Sequence, residues 1–570
     1  MSLSAALNIA RSALTVNQAA IQTVGNNIAN VGNANYTRQT PIQSTALDSL
    51  VNGMRVGNGV QLDGIKRQID EALQGRLCNS MSDSESAGAQ QQWLSRVEAV
   101  FNELSDQDLS TQFSKFFNSW SDLANKPQDV GLRQVVLQQG QTVADQFHQM
   151  NQSVTSLQTE LDKTVNGLAN RADNLSNQLA DLNVKIVQAE SGGAASQANG
   201  LRDQRDTALK DLSNLMDVRT VEQPNGTMNV YVGSEPLVVN GNSRGVATRV
   251  VTAEDGSQVT KVVFKSNNGE LSLESGQLGA LGKVRDTLNS VADNVNQLAG
   301  SLAFELNKVH ASGQGLQGVA TVIGTTTLTD STVALTDTKS GLRPSQMPST
   351  GSFVVHVKDK ATGLSTSTLV QVDLDGQGTD TSLDSLIAQL DNVDGITAAN
   401  NGGRLQVSAD NAPAQEISFS QDSSGVLASL GVGTFFSGND ARTINVNATL
   451  KDNPNLLAAA KNGNSGDNQT ARAIANLETT ALRSLNGQTL TGTYQSMVNT
   501  VAAQSSTASS NAEAASVVVE TLSAQREAIS GVSLDEEAVN LMRYQHAFQG
   551  AARVISVVDE LMNTMLGLVR

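Results

Sequence analysis

Three short strings in this 570-residue chain have residue types at spacings that could do chemistry. "GNSRG" at 241–245 fits the G-x-S-x-G elbow, which presents a nucleophilic serine on a sharp strand-to-helix turn. Its flanks alternate like strands and no helix follows, so a plain turn is the reading. "GQGLQG" at 313–318 fits G-x-G-x-x-G, but a dinucleotide loop follows a strand and opens a helix, whereas this string follows a helical pattern. "DLDGQGTD" gathers Asp373, Asp375 and Asp380, oxygen ligands of the kind calcium takes, without the twelfth-position Glu of an EF-hand loop; an acidic turn accounts for it. The histidines His148, His310, His356 and His546 have no ligand spacing with one another or with the single cysteine, Cys78. No Walker-type phosphate loop is present. The chain offers no catalytic constellation, and neither an enzyme activity, a cofactor nor a metal is expected.

The composition explains what such a chain is built for. Its length implies roughly three or four domains. Net charge is −17 with a pI near 4.7, and no Lys/Arg run offsets it, which argues against nucleic acid and anionic membrane as partners. Aromatics make up only 3% and apolar residues 39%, a balance that suits long helices with small side chains. Cys78 alone cannot form an internal disulfide, so packing must be non-covalent. "MSLSAALNIARSAL" has no basic n-region, continuous apolar core or cleavage-type site, and no run of eighteen apolar residues is long enough to span a membrane.

The elements that could carry a function without chemistry are at the two ends. Leu7, Leu14, Ile21 and Ile28 recur at heptad spacing, with Leu3, Ala10, Asn17, Val24 and Val31 at the companion position. Such a helix spans about 45 Å. It runs into "VGNNIANVGNANYTRQ", where Asn26, Asn27, Asn30, Asn35, Tyr36 and Arg38 read as helix-stop and turn residues, with Gly32, Asn33 and Asn35 supplying left-handed backbone. At the other end, Leu541, Tyr544, Phe548, Ala551, Ile555, Val558, Met562, Met565 and Val569 form a 3,4 stripe. Little sequence remains to cover these seams, so each is expected to bury itself against the other and against neighbouring molecules.

Between the ends, residues 90–217 read as helices, with breaks at Pro127 and at the Gly192–Gly193 pair. From Val218 the period changes to two, with Asn225-Gly226 at a hairpin turn and β character to about 275. Helix returns at 278–312. Residues 318–445 are rich in Thr, Ser and Gly, with strands in "SFVVHVKD", "STLVQVDLD", "RLQVSAD" and "EISFSQD" and a short helix in "SLDSLIAQLDNV". Ten acidic and two basic residues within 361–450 mark a solvated outer domain inserted into a helical stem, which resumes at about 470. The expected fold class is α+β: an elongated multi-domain protein with its N- and C-terminal helices paired as a coiled coil, a helical-bundle stem, and inserted β-rich outer domains. The expected domains are 1–45 with 530–570 as the terminal coiled coil, 46–317 with 446–529 as the stem including a β-rich segment at about 218–275, and 318–445 as the outer domain.

"SALNIARSALTVNQAAIQTVGNNIANVGNANYTRQ" resembles the N-terminal motif of bacterial flagellar rod, hook and hook-associated proteins, in which an Asn-Asn-Ile-Ala-Asn segment follows a heptad helix. Tyr36-Thr37-Arg38-Gln39, "FFNSWSDLANKPQDVGLRQVVL", "LRDQRDTALKDLSNLMDV", "FELNKVHASGQGLQG" and "VSLDEEAVNLMRYQHAFQGAARVISVVDELMNTMLGL" resemble the hook-associated members. Asn35 stands where the family usually has Gly. The resemblance implies a structural adaptor at the hook–filament junction, required for filament assembly and motility. Its subunits would form a ring of about eleven copies. The implied partners are the flagellar hook protein, hook-associated protein 3 and an export chaperone at the C-terminal helix. Export would run through the flagellar type III apparatus to the cell exterior without a cleaved signal. The alternative is a secreted surface adhesin that uses the acidic β-rich outer domain.

Overall fold

A computed structural model of the chain describes residues 3–51, 54–101, 108–191, 198–252, 258–464 and 466–568. Its helices are α1 (Leu3–Ala29), α2 (Glu71–Glu98), α3 (Leu109–Asn125), α4 (Val130–Glu190), α5 (Asn199–Leu215), α6 (Gly276–Ala311), α7 (Leu383–Asp391), α8 (Val426–Leu430), α9 (Ala448–Asp452), α10 (Gln469–Ala475), α11 (Leu490–Ser530) and α12 (Leu534–Leu568). The strands of the first half are β1 (Gln39–Thr45), β2 (Ser49–Val51), β3 (Met54–Val56), β4 (Val60–Arg67), β5 (Val218–Glu222), β6 (Met228–Val232), β7 (Glu235–Val239), β8 (Asn242–Ser243), β9 (Val246–Thr252) and β10 (Gln258–Phe264). Those of the second half are β11 (Thr321–Ile323), β12 (Gly351–Asp359), β13 (Ser365–Val372), β14 (Ile396–Asn400), β15 (Leu405–Ala409), β16 (Gln415–Ser420), β17 (Phe436–Ser437) and β18 (Asn445–Val446). Long helices beside small antiparallel sheets make the fold α+β. The chain divides into two compact units, one of Met1–Trp93, Glu160–Val284 and Ser506–Arg570, the other of Leu94–Thr159 and Arg285–Ser505.

In the first unit, the C-terminal part of α4 buries Leu161, Val165, Ala169, Ala172, Ser176, Leu179, Asn183 and Ile186, a 3,4 stripe with two polar members. The polar members do specific work. Asn183 Nδ2 donates to the carbonyls of Met228 and Asn240 while its Oδ1 accepts from Met228 N, which pins the sheet β5-β6-β7-β8 to the helix. The hairpin β5–β6 turns at Asn225-Gly226, where Asn225 Oδ1 accepts from Thr227 N and Gly226 adopts φ +83°. Strands β1 and β4 form an antiparallel ribbon with a bulge at Ile42/Gln43, and the β2–β3 hairpin lies at its end. No strand is expected from the sequence in this stretch, yet a run of seven and a run of eight residues pair locally and pack on α1.

The second unit has two cores. One is aromatic: Phe116 and Trp120 of α3 stack with Phe435 at centroid distances of 5.6 Å each, and Phe435 meets Phe436 at 4.7 Å. Asn307 of α6 fixes that segment, accepting from the backbone N–H of Phe435 and Phe436. The other core belongs to the β-rich module, where Phe353, Val355, Leu386, Val407, Ile417 and Leu430 are buried between the sheets β13-β12-β16 and β11-β15-β14. Every strand and the short helix expected in this module form; β11 and β14 are additional. Residues 433–436 fall inside the range expected for the outer domain but pack with α3 and α6 in the aromatic core. The break at Pro127 separates α3 from α4, whereas Gly192 and Gly193 lie outside the described residues.

Candidate functional site

The terminal helices α1 and α12 pair extensively, and they run antiparallel, because Asn27 near the end of α1 meets Glu537 near the start of α12. On α1, Val24 is buried and Leu7, Leu14, Ile21 and Ile28 are half-buried. The deepest positions are Ala10, Val16, Ala20, Thr23, Val24 and Asn27. Small residues form this line because α1 is covered by α12 and by the β1–β4 ribbon, so backbones must come close. On α12, Val558 is buried and Leu541, Tyr544, Phe548, Ala551 and Ile555 are half-buried. Met562 and Met565, expected in the same seam, are instead exposed, Met565 to 57%. Their partner helix has run out: twenty-four residues back from Asn27 is Leu3, the first of α1, and twenty-four forward from Glu537 is Leu561. At about 1.5 Å per residue the overhang to Leu568 is about 10 Å. Val569 lies outside the described residues.

Helix α12 carries a second apolar line, off the seam. Val539, Met542, Val554, Val557 and Leu561 recur at helical spacing on the side away from the seam, and all are exposed, Leu561 to 51%. His546 and Gly550 fill the intervening positions.

The asparagine-rich segment has a different job from the one its composition suggests. Helix α1 ends at Ala29, and Asn30 N–H is shared between the carbonyls of Asn26 and Asn27. Asn30 Nδ2 also donates to Asn26 O. The turn then proceeds by Asn33 N to Asn30 O and Tyr36 N to Asn33 O, with Asn33 Oδ1 accepting from Asn35 N. Positive φ does not occur at Gly32, Asn33 or Asn35, so the expected left-handed backbone is corrected: consecutive tight turns with right-handed φ suffice, and Asn35 in place of Gly carries no strain.

Asn27 lies within the helix, 1% exposed, and its side chain is a buried junction. Its Oδ1 accepts from Tyr36 Oη at 2.7 Å and Gln39 N at 3.1 Å, while Nδ2 donates to Gln39 O and Glu537 Oε2 at 2.9 Å each. Asn26 Nδ2 reaches Tyr36 Oη at 3.4 Å. Arg38 closes the group by donating to Glu537 Oε1 at 2.9 Å and Glu536 Oε2 at 2.6 Å, and its own N–H donates to Ser530 O. Glu537 is also 1% exposed, so its charge is buried but paired, with both oxygens hydrogen-bonded. Burial, reinforced by Asp203 and Glu537, pushes the Tyr36 phenol up to about 12, so it stays a donor. Burial alone would lower Arg38; the bond to Glu536 and the charge of Glu537 outweigh it and raise it. The same loop is anchored by Arg526 Nη1 donating to Ala34 O. Glu536, Glu537 and Ser530 carry no distinct signal in the sequence, because an acidic triplet opening a helix is already explained by the helix dipole.

The strings that suggested chemistry have structural explanations. Ser243 of "GNSRG" donates to Ser176 Oγ and accepts from Gly245 N in a strand-to-strand turn. In "GQGLQG", a Cβ on Gly313, Gly315 or Gly318 would fall within 2.4–2.7 Å of Thr470, Asn455 O or Ile417 O, so the glycines permit close chain packing. Asp375 and Asp380 accept from Gln377 N and Gly376 N in an exposed acidic turn with Asp373. His310 is buried, donating from Nδ1 to Gly433 O and accepting at Nε2 from Ala458 N, and burial pulls it down to about 4. Among the described residues no helix is long and apolar enough to cross a membrane.

Comparison with known proteins gives a consistent result. The family model described as "Flagellar hook-associated protein FlgK helical domain" matches residues 94–323, and that of "Flagellar basal body rod FlgEFG protein C-terminal" matches 523–568. Flagellar hook-associated protein 1 of Escherichia coli K12 is 25% identical over 589 aligned positions, covering 99% of this chain and 100% of the relative. Its Bacillus subtilis 168 counterpart is 25% identical, covering 98% and 97%. The solved structure of the flagellar hook junction protein FlgK from Burkholderia pseudomallei shares the fold at a TM-score of 0.50, with 16% identity, over 80% of this chain and 100% of that one.

Proposed function

Because the chain belongs to the flagellar hook-associated protein 1 family, we propose that it is the structural adaptor at the junction between hook and filament, without enzymatic activity. The observation that carries this reading is the α1–α12 pair, which seals one apolar seam within the chain and leaves a second, on α12, facing outward and beyond the end of α1. An exposed apolar line of this length is a docking surface for neighbouring copies. The relatives' names support a flagellar role and give no support to the adhesin alternative.

In this reading the copies form a ring of about eleven subunits, seated on the hook protein and followed by hook-associated protein 3. Export proceeds through the flagellar type III system to the cell exterior, with a chaperone covering the C-terminal helix until assembly. The interface residues are Leu7, Leu14, Ile21, Val24, Ile28, Leu541, Tyr544, Phe548, Ile555, Val558, Met562 and Met565, of which the two methionines contribute to contacts between copies. Residues 1–45 with 530–570 act as the junction-forming coiled coil, 46–317 with 446–529 as the stem, and 318–445 as the outward-facing module. The test is complementation of a strain that lacks the gene with a Val557→Asp/Leu561→Asp double variant. Secretion of the variant together with loss of motility and bare hooks in electron micrographs is expected; wild-type motility refutes the docking role.

A further inference from the structure

A cleft of about 560 Å³ opens in the first unit between the end of β4, the start of α2, α5 and the β5–β6 hairpin. Its walls are unlike the rest of the molecule. The lining carries five cations, Lys66, Arg67, Arg202, Arg205 and Arg219, and its inner arginines are paired with Asp203, Asp206, Glu190 and Glu222, which leaves Lys66 and Arg219 at the mouth as the cations without a carboxylate among the described residues.

The inner arginines are unequally compensated. Arg67 has two carboxylates, Asp203 at 2.9 Å and Asp206 at 2.6 Å. Arg202 has Glu190 at 2.8 Å and Glu222 at 2.5 Å. Arg205, with its side chain only 1% exposed, is left with the other oxygen of that same Glu222 at 3.3 Å and the Gly226 carbonyl at 2.8 Å, and its Nε has no hydrogen-bond partner. Asp206 and the shared Glu222 act on this guanidinium through their charge, against the neighbouring Arg202 and Arg67. Burial outweighs both carboxylates and holds Arg205 below the usual arginine range. At the mouth, Lys66 and Arg219 are exposed and have no carboxylate partner among the described residues; Arg219 lies over the Tyr231 ring. The cleft's size is in the range of sites for small ligands or single peptide side chains.

We propose that this cleft is a carboxylate-binding site, with Lys66 and Arg219 capturing the anion at the rim and Arg205 supplying charge from the floor. The carboxylate can come from a free polycarboxylate or from the acidic surface of a second copy of this chain. The proposal is independent of the junction reading and uses none of the α12 residues that carry it.

The test uses the full-length chain at low ionic strength. Citrate and an oligoglutamate peptide are titrated by calorimetry, with sodium chloride at matched ionic strength as the blank, and self-association is read by sedimentation velocity. The Lys66→Ala/Arg219→Ala variant alters only exposed side chains and should fold as the wild type does, which circular dichroism checks. Citrate or peptide binding that weakens about tenfold or more in the double variant establishes the free-ligand source. Absence of such binding, with low-salt self-association that the double variant removes, establishes the second copy as the source. Binding or association that the double variant leaves unchanged, or no response in either assay, overturns the proposal.

Discussion

Replacing Asn27 by Ala isolates the buried junction from the apolar seam around it. The substitution takes the acceptor from Tyr36 Oη and Gln39 N and the donor from Gln39 O and Glu537 Oε2, and all four groups sit where water does not reach Asn27 itself. At about 1 kcal/mol for each of the three neutral hydrogen bonds and about 1.5–3 for the one to a carboxylate, the loss is about 4.5–6 kcal/mol. The unit does not unfold as a whole for this to be read. Local opening of α1 from α12 is enough, and its equilibrium appears directly in amide exchange. In the monomer, exchange across residues 3–29 and 534–568 should accelerate by about a thousandfold to ten-thousandfold, while α4 is unaffected. Asn30→Ala is the control, because that side chain bonds only to Asn26. Exchange in the Asn27 variant equal to that of wild type would falsify the claim that this junction holds the two helices together.

Four further outcomes are expected. Phe548→Asp or Ile555→Asp buries a carboxylate in the seam and should detach α12 in the monomer, seen as raised exchange. Val557→Asp, on the outward face, should leave exchange unchanged and remove only junction incorporation, counted by electron microscopy. His310 at about 4 lies below the ordinary 6.5, so the unfolded chain takes up its proton first as pH falls. The stability it contributes is complete above pH 6.5 and disappears between 6.5 and 4, about 3 kcal/mol in all. A thermal melt of the second unit that is flat over that window in the wild type contradicts this. Finally, replacing residues 326–424 by a short Gly/Ser linker should preserve the helical signal of the stem, whereas replacing 320–440 should not, because it removes Phe435 and Phe436 from the cluster with Phe116 and Trp120.

Much of this architecture was legible from period alone. The heptads of α1 and α12, the Asn225-Gly226 hairpin, the break at Pro127 and the four longer strands of the outer module all follow from local spacing and turn chemistry. The junction was not legible in the same way. Asn27 belongs to an asparagine-rich segment whose obvious reading is helix termination, and nothing local reveals that one of these amides is turned inward toward a glutamate from the other end of the chain. The seam itself was read one step too shallow: large residues were marked as its centre, whereas Ala20, Thr23 and Asn27 are deeper because two elements crowd α1 from different sides. The β1–β4 ribbon escaped because its strands are joined by fourteen intervening residues and Pro41 interrupts the first of them. The aromatic residues Phe435 and Phe436 were assigned to the outer module by sequence continuity, and only three-dimensional packing returns them to the helices.

Asn27 and Glu537 are 510 positions apart. A chain delivered in linear order, from whichever end, cannot satisfy Asn27 and Arg38 until nearly all of it is present. Any product that stops before Glu537 leaves the Asn27 amide and the Arg38 guanidinium without their carboxylate, and α1 then has no helix to close against. Closure of α1 is therefore tied to the arrival of the far end of the chain, and one hydrogen-bonded carboxylate makes that tie.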